Sequence, residues 1–167
     1  MSTGIVVDVA ARSDLDELVR LESNLFRDDA GAHDPLVDTT WPVHHARDDF
    51  VRLIDDDLSV VLVARYEGHV RGHLVGYLTG PSATRFGRRT AEIRSLYVDS
   101  EVRTSGIGQS LVAGFTSWAR EHEAAAVAVS AYAANRAARA FYGQLGFVEQ
   151  SVVLRSVLDG EGFSAAE

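Results

Sequence analysis

A β-rich run that ends at Val98 passes through a turn holding Gly106 and Gly108 and becomes an apolar helix at once, in the stretch VRTSGIGQSLVAGF (102–115). The first N–H groups of a helix have no partner of their own, and the helix dipole favours negative charge there, so a strand, a loose turn and a helix start make an anion site. Glycine lets a bulky group approach the main chain, Arg103 adds a permanent cation, and Ser105 and Ser110 add hydroxyl donors. Two phosphate-binding patterns fail here. GxxxxGK[ST] requires a lysine, and all sixteen basic residues are Arg. GxGxxG requires a third glycine where Leu111 stands, and it follows the first strand of its unit.

The rest of the chain alternates between two periods. GIVVDVA (4–10) reads as a strand, and Ser13 reads as the N-cap of a helix with Leu15, Leu18, Val19, Leu21, Leu25 and Phe26 on one stripe. Residues 27–42 hold two prolines and no period, which predicts a loop; 43–57 returns to helical spacing. Strands are expected at 58–66 and 69–80, joined at Glu67-Gly68, and again at 90–99. A helix from about Gly106 to His122, a strand near 124–132, a helix at 135–147 and a closing strand at 148–158 complete the order β-α-α-β-β-β-α-β-α-β. That is an α/β layout with a mixed sheet, read as one domain over 1–167 with a loose tail from about 159.

Composition excludes more than it specifies. The absence of cysteine removes disulfides, thiolate metal sites and a cysteine nucleophile, and fits a cytoplasmic location. No apolar stretch is long enough for a membrane helix, and the first residues lack a signal peptide's basic region, so no membrane partner is expected. The net charge of −8 is lopsided. Residues 1–57 carry 14 acidic residues against 5 Arg, and the remainder carries 10 against 11. An acidic lobe argues against nucleic acid and for a cationic small partner, although most of these carboxylates also suit solvated helix faces.

Two motifs in the expected order resemble the GNAT superfamily, the GCN5-related N-acetyltransferases. SLYVDSEVRTSGIGQSLV matches its acetyl-CoA motif, [RQ]-x-x-G-x-[GA], at Arg103, Gly106 and Gly108. NRAARAFYGQLGF matches N-x-x-A-x-x-F-Y-x-x-x-G-F at Asn135, Ala138, Phe141, Tyr142, Gly146 and Phe147. The resemblance implies a mostly antiparallel, twisted sheet flanked by helices. In it the strand to Val98 splays from its neighbour, and Leu96 and Val98 offer main-chain bonds to the pantetheine arm of acetyl-CoA. Arg103, Thr104, Ser105, Gly106, Ile107 and Gly108, with the N–H groups of Gln109 and Ser110, would hold the pyrophosphate. Asn135 and Tyr142 would face the thioester. Ser100 stands where a proline is common, and Thr104 where a glycine is common, which predicts a slightly tighter loop.

Acetyl transfer to an amine requires a base for the ammonium, donors for the thioester oxygen and a proton for the departing thiolate. The resemblance makes Tyr142 the acid; its bland alternative is an aromatic packed on the sheet. It makes Glu92 the base, against the alternatives of a solvated glutamate or one paired with Arg94. His33, His44 and His45 lie in the loop and helix that would wall the acceptor pocket, where a histidine, or water, is the alternative base to Glu92 and plain surface histidines are the bland reading. Trp41 with Asp34 and Asp38 would form an aromatic and acidic rim for a cationic amine. The 33-to-44 spacing fits no standard metal pattern, so no metal is expected. His69 and His73 sit on the hairpin with no carboxylate partner expected and no role assigned, and Trp118 reads as core. The reading that results is an acetyl-CoA-dependent N-acetyltransferase acting on a small, cationic primary amine by direct attack in a ternary complex. A non-catalytic acyl-CoA sensor, a hydroxyl acceptor and a longer acyl-CoA remain as alternatives. A homodimer, with the C-terminal strand as its site, is the resemblance's further implication.

Overall fold

The computed structural model describes residues 4–158. A five-stranded sheet runs in the order β1 (Ile5–Val9), β2 (Ser59–Tyr66), β3 (His69–Ser82), β4 (Arg88–Val98), β5 (Val127–Val129). The first three pairings are antiparallel, and β4 pairs with β5 in parallel through Ala91↔Val127, Glu92↔Ala128 and Ile93↔Val129 only. Helices α1 (Leu15–Leu25) and α3 (Arg47–Ile54) cover one face, with the short α2 (Gly31–His33) between them; α4 (Ile107–Glu121) and α5 (Arg136–Gln144) belong to the other.

Each face has its own core. Leu15, Leu18 and Leu21 of α1 and Phe50 and Leu53 of α3 pack on Val61, Val63, Val75 and Tyr97. Ile107, Leu111, Val112 and Phe115 of α4 pack on Leu62, Leu74, Leu78 and Ile93. The period-two alternation of a strand would normally keep Ile93 and Tyr97 on one side. A bulge prevents this: Val75 pairs with Ser95 but Gly76 with Ile93, which leaves Arg94 as the extra residue. Beyond it Tyr97 faces α1, while Leu96 and Val98 face α4. Gly76 sits at the bulge because a Cβ there would lie 2.1 Å from Cε2 of the Phe115 ring.

Several expectations need correction. The carboxylate at the entry to α1 is Asp14, not Ser13: it is buried, accepts from Ala11 N–H at 2.9 Å and from the Arg65 guanidinium at 2.8 Å. Residues 27–42 are not all loop, since α1 runs on through a wide π-helical turn (Phe26–Ala30) into α2. A second such turn, Pro42–Ala46, leads into α3. The closing strand at 148–158 is absent. A strand needs an edge to pair with, and β5 offers three residues. Residues 148–158 are exposed and without regular structure, with Val152, Val153, Leu154 and Leu158 each more than three-quarters exposed and Arg155 bonded to Asp34. The tail expected from 159 lies outside the described residues.

Candidate active site

The turn between β4 and α4 is built by backbone conformation. Gly106 caps α4 at φ +93°, and a Cβ there would meet nothing nearer than Ile5 at 3.9 Å, so its requirement is the left-handed angle rather than space. Gly108 is the reverse case: a Cβ would press on Phe141 at 3.1 Å, so its bareness lets α5 close against α4. Thr104 also lies in the left-handed region, at φ +69°. The loop is therefore not tightened by losing the family's glycine. It keeps the conformation a glycine would adopt and carries the strain of a β-branched residue held there.

Side chains of the loop turn inward and leave its N–H groups free. Ile107 is buried in the α4 core, and the Ser105 hydroxyl donates to the Val102 carbonyl. Arg103 folds back: its Nε donates to the Val98 carbonyl at 3.1 Å, and its guanidinium lies 5.3 Å from the centre of the Tyr97 ring. Among the described residues, no acceptor takes the N–H of Ile107, Gly108 or Gln109, whereas the Ser110 N–H already donates to the Gly106 carbonyl at 3.0 Å. Ser110 can thus contribute only its hydroxyl. Alongside, β4 has no β5 partner beyond Ile93, so the strands part before Leu96 and Val98.

Helix α5 brings the second motif to this opening. Asn135 is its N-cap, accepting from Ala138 N–H at 3.0 Å, and its Nδ2 donates to Asp29 Oδ1 at 2.7 Å. Tyr142 packs against the α4-face core, on Phe141 and Phe147. Burial first, and then the Asp29 carboxylate, push its phenol up to about 12, so it stays protonated at neutral pH. Tyr97, pushed up by burial and by its bond to Asp28, donates to that carboxylate at 2.9 Å. The π-helical turn after α1 is in this way stitched to both β4 and α5.

Glu92 is half-buried on β4, directly opposite Ala128 of β5. It accepts from the Tyr77 hydroxyl at 2.8 Å; Arg94, the neighbour it might have paired with, bonds Asp49 at 2.6 Å instead. Trp41 stacks on Phe26 at 5.6 Å and packs against the α1-face core, Asp38 bonds Thr40, and Asp34 bonds Arg155, so these three form no open rim. His44 and His45 are exposed, while His33 is half-buried, with Nε2 3.7 Å from Asp29 and its ring 5.5 Å from that of Tyr132. His73 does have a carboxylate: its Nε2 lies 2.6 Å from Glu22 Oε2, with both residues buried. The 51 positions between them hid this pair from the sequence, and Asp29 was hidden inside an aperiodic segment, its one hint being the four-residue spacing to His33. Among the described residues, no group of three His, Cys, Asp or Glu could hold a metal, and no helix is long and apolar enough to cross a membrane.

Comparison with known proteins gives a consistent picture. The model of the acetyltransferase (GNAT) family matches residues 18–147. Among solved structures, a mutant of the BH1408 protein from Bacillus halodurans superposes with a TM-score of 0.83 at 24% identity, covering 92% of this chain and 99% of that one. The aminoglycoside acetyltransferase meta-AAC0020 from an uncultured soil metagenomic sample, in complex with sisomicin, gives 0.69 at 22% identity over 93% and 97%. The ribosomal-protein-alanine N-acetyltransferase of Brucella melitensis biovar Abortus 2308 gives 0.67 at 19% identity over 92% and 99%. No curated protein matches the chain by sequence.

Proposed function

The chain belongs to the acetyltransferase (GNAT) family, and on that premise we propose that it moves an acetyl group from acetyl-CoA to the primary amine of a small cationic molecule. The observation that carries this reading is the β4 edge left unpartnered beyond Ile93, running toward the free N–H groups at the start of α4. An extended amide-bearing arm suits the first, and a pyrophosphate suits the second. Leu96 and Val98 offer the arm main-chain partners, while Thr104, Gly106, Ile107, Gly108 and Gln109 offer backbone to the phosphates. Arg103 and the Ser105 and Ser110 hydroxyls border them. No metal is needed for this chemistry.

In the transfer step the amine nitrogen attacks the thioester carbonyl carbon, the C–S bond breaks, and the nitrogen gives up one proton. Glu92 takes that proton. Tyr142 donates a hydrogen bond to the sulfur as its charge grows. A phenol near 12 facing a thiol near 8.5 makes complete transfer uphill by roughly 3–4 pK units, so its contribution is stabilisation of the departing thiolate rather than delivery of a proton to it. The acidic character of residues 1–57 supports a cationic acceptor. So does the fold shared with an enzyme that acts on aminoglycosides, which are polycationic amines.

The test is free-thiol release from acetyl-CoA across polyamines, aminoglycosides, amino acids and basic peptides. Tyr142→Phe should slow turnover about ten- to hundredfold, the worth of one hydrogen bond to a charge, with acetyl-CoA affinity retained. Glu92→Gln should slow it about a hundredfold or more and flatten the rise of the rate with pH. Acetyl-CoA bound by calorimetry with no thiol released from any amine would replace this reading with that of an acyl-CoA sensor.

A further inference from the structure

We propose that Tyr77 positions the base for acetyl transfer: its hydroxyl holds one oxygen of Glu92 and leaves the other to take the amine's proton. The inference rests on the transfer reading above and adds to it a residue of β3, which neither sequence motif reaches.

The pair is set by register. Tyr77 stands directly opposite Glu92 across the β3–β4 ladder, where side chains on one face meet. Leu78, Ala91 and Ile93 beside them pack on the α4 face, so Tyr77 and Glu92 share the face of α1 and α3. The phenol donates to Glu92 Oε2 at 2.8 Å, while Oε1 takes no hydrogen bond from any described residue. Ile93, the next residue, is the last of β4 to pair with β5. The free oxygen therefore belongs to a side chain rooted where the two strands part, next to the edge that offers Leu96 and Val98 to the pantetheine arm.

The polar groups around the pair are matched elsewhere. Arg94, two residues along β4, bonds Asp49, the buried carboxylate of α3, which also takes Arg52. Strand β5 presents Ala128 opposite Glu92, and β2 presents Ser59 opposite Tyr77, its hydroxyl bonded to Asp56. On the same face of β3, His73 is matched by Glu22 of α1. Among the described residues, Tyr77 alone bonds the Glu92 side chain, and a phenol suits the task. A cation in its place would pair with the carboxylate and oppose its taking a proton; a neutral donor orients it at a smaller electrostatic cost. The bond to Glu92 first, and burial second, push the Tyr77 phenol above its usual value, so it remains a donor through neutral pH and above.

The experiment reads the bond and its consequence separately. A pH titration of the tyrosine Cζ carbons by NMR reads the bond without any acceptor: the wild-type Tyr77 phenol should ionise above the usual phenol range, and Glu92→Gln should bring it down. Thiol release from acetyl-CoA, with benzylamine, putrescine, kanamycin and a lysine peptide as acceptors, reads the consequence. Tyr77→Phe keeps the ring and removes the donor, and a carboxylate that loses a donor gives up its proton at higher pH. The rise of the rate with pH should therefore move up by about one pH unit, with KM for acetyl-CoA changed less than about twofold. Added to Glu92→Gln, Tyr77→Phe should cost nothing further, because Tyr77 acts through that carboxylate. A Tyr77 phenol that ionises at the same pH in wild type and Glu92→Gln, or a Tyr77→Phe rate lowered equally at every pH, would overturn the inference. A pH rise that survives Glu92→Gln would remove Glu92 as the base. Silence from all four amines with the NMR signature intact would sink the transfer reading and reduce the pair to a structural contact.

Discussion

The two faces of the sheet are held by opposite means. Under α4 the contact is apolar throughout, and two sheet glycines, Gly72 and Gly76, let the helix sit close. Under α1 and α3 the core is laced with buried polar residues: Glu22 with His73, Asp49 with Arg94, Asp99 with Arg20 and Asp14 with Arg65. Close apolar packing fixes where the α4 N-terminus points, which the phosphate-binding role proposed for that turn requires. Directional bonds fix the rotation and register of α1, and hence where Asp28 and Asp29 arrive. Apolar contacts tolerate small slides; hydrogen bonds to a buried carboxylate do not.

The largest effect should come from breaking the polar side at its centre. His73→Leu strands Glu22 in the core, and urea unfolding should show a loss of about 3–5 kcal/mol. Glu22→Leu combined with His73→Leu should recover much of that loss, and a double variant no more stable than the single would mean the two side chains are not acting as a hydrogen-bonded unit. The apolar side should break less steeply. Gly76→Ala drives a Cβ into the buried Phe115 ring, at a cost of about 2–3 kcal/mol, and adding Phe115→Leu should relieve it. Thermal melts of the two variants decide whether the ring is the obstacle. Smallest of all, and of opposite sign, Thr104→Gly should stabilise the protein by up to about 1 kcal/mol, since strain of one to a few kcal/mol is released against the greater freedom of an unfolded glycine. A loss of stability there would show that the threonine side chain has a contact worth more than its backbone costs.

What was readable in the sequence is local. The turn at Gly106, the helix that starts beside Asn135 and the strand pairs around Glu67-Gly68 are set by neighbours a few positions apart, and the structure places each where its spacing requires. Two features of the structure are not local. Glu22 and His73 meet only because α1 crosses the sheet, and Asp29 meets Asn135 across 106 positions. Thr104 misled for another reason: intrinsic preference argues against a β-branched residue at positive φ, and the surrounding loop overrules it. The segment 148–158 has a strand's composition and no partner of useful length, and composition alone does not supply an edge.

The extra residue at Arg94 has a consequence for how this chain can change by insertion and deletion. One position decides which residues in the second half of β4 look toward α1 and which toward α4. Losing Arg94 would flatten the bulge into a regular strand, keep Leu96, Tyr97 and Val98 at their present addresses, and remove the bond to Asp49. A strand of the same length without the bulge would point Tyr97 at α4, and Leu96 and Val98 at α1. Loops here can lengthen or shorten with little penalty, but β4 is counted residue by residue, and its length is as much a part of the site as the side chains it carries.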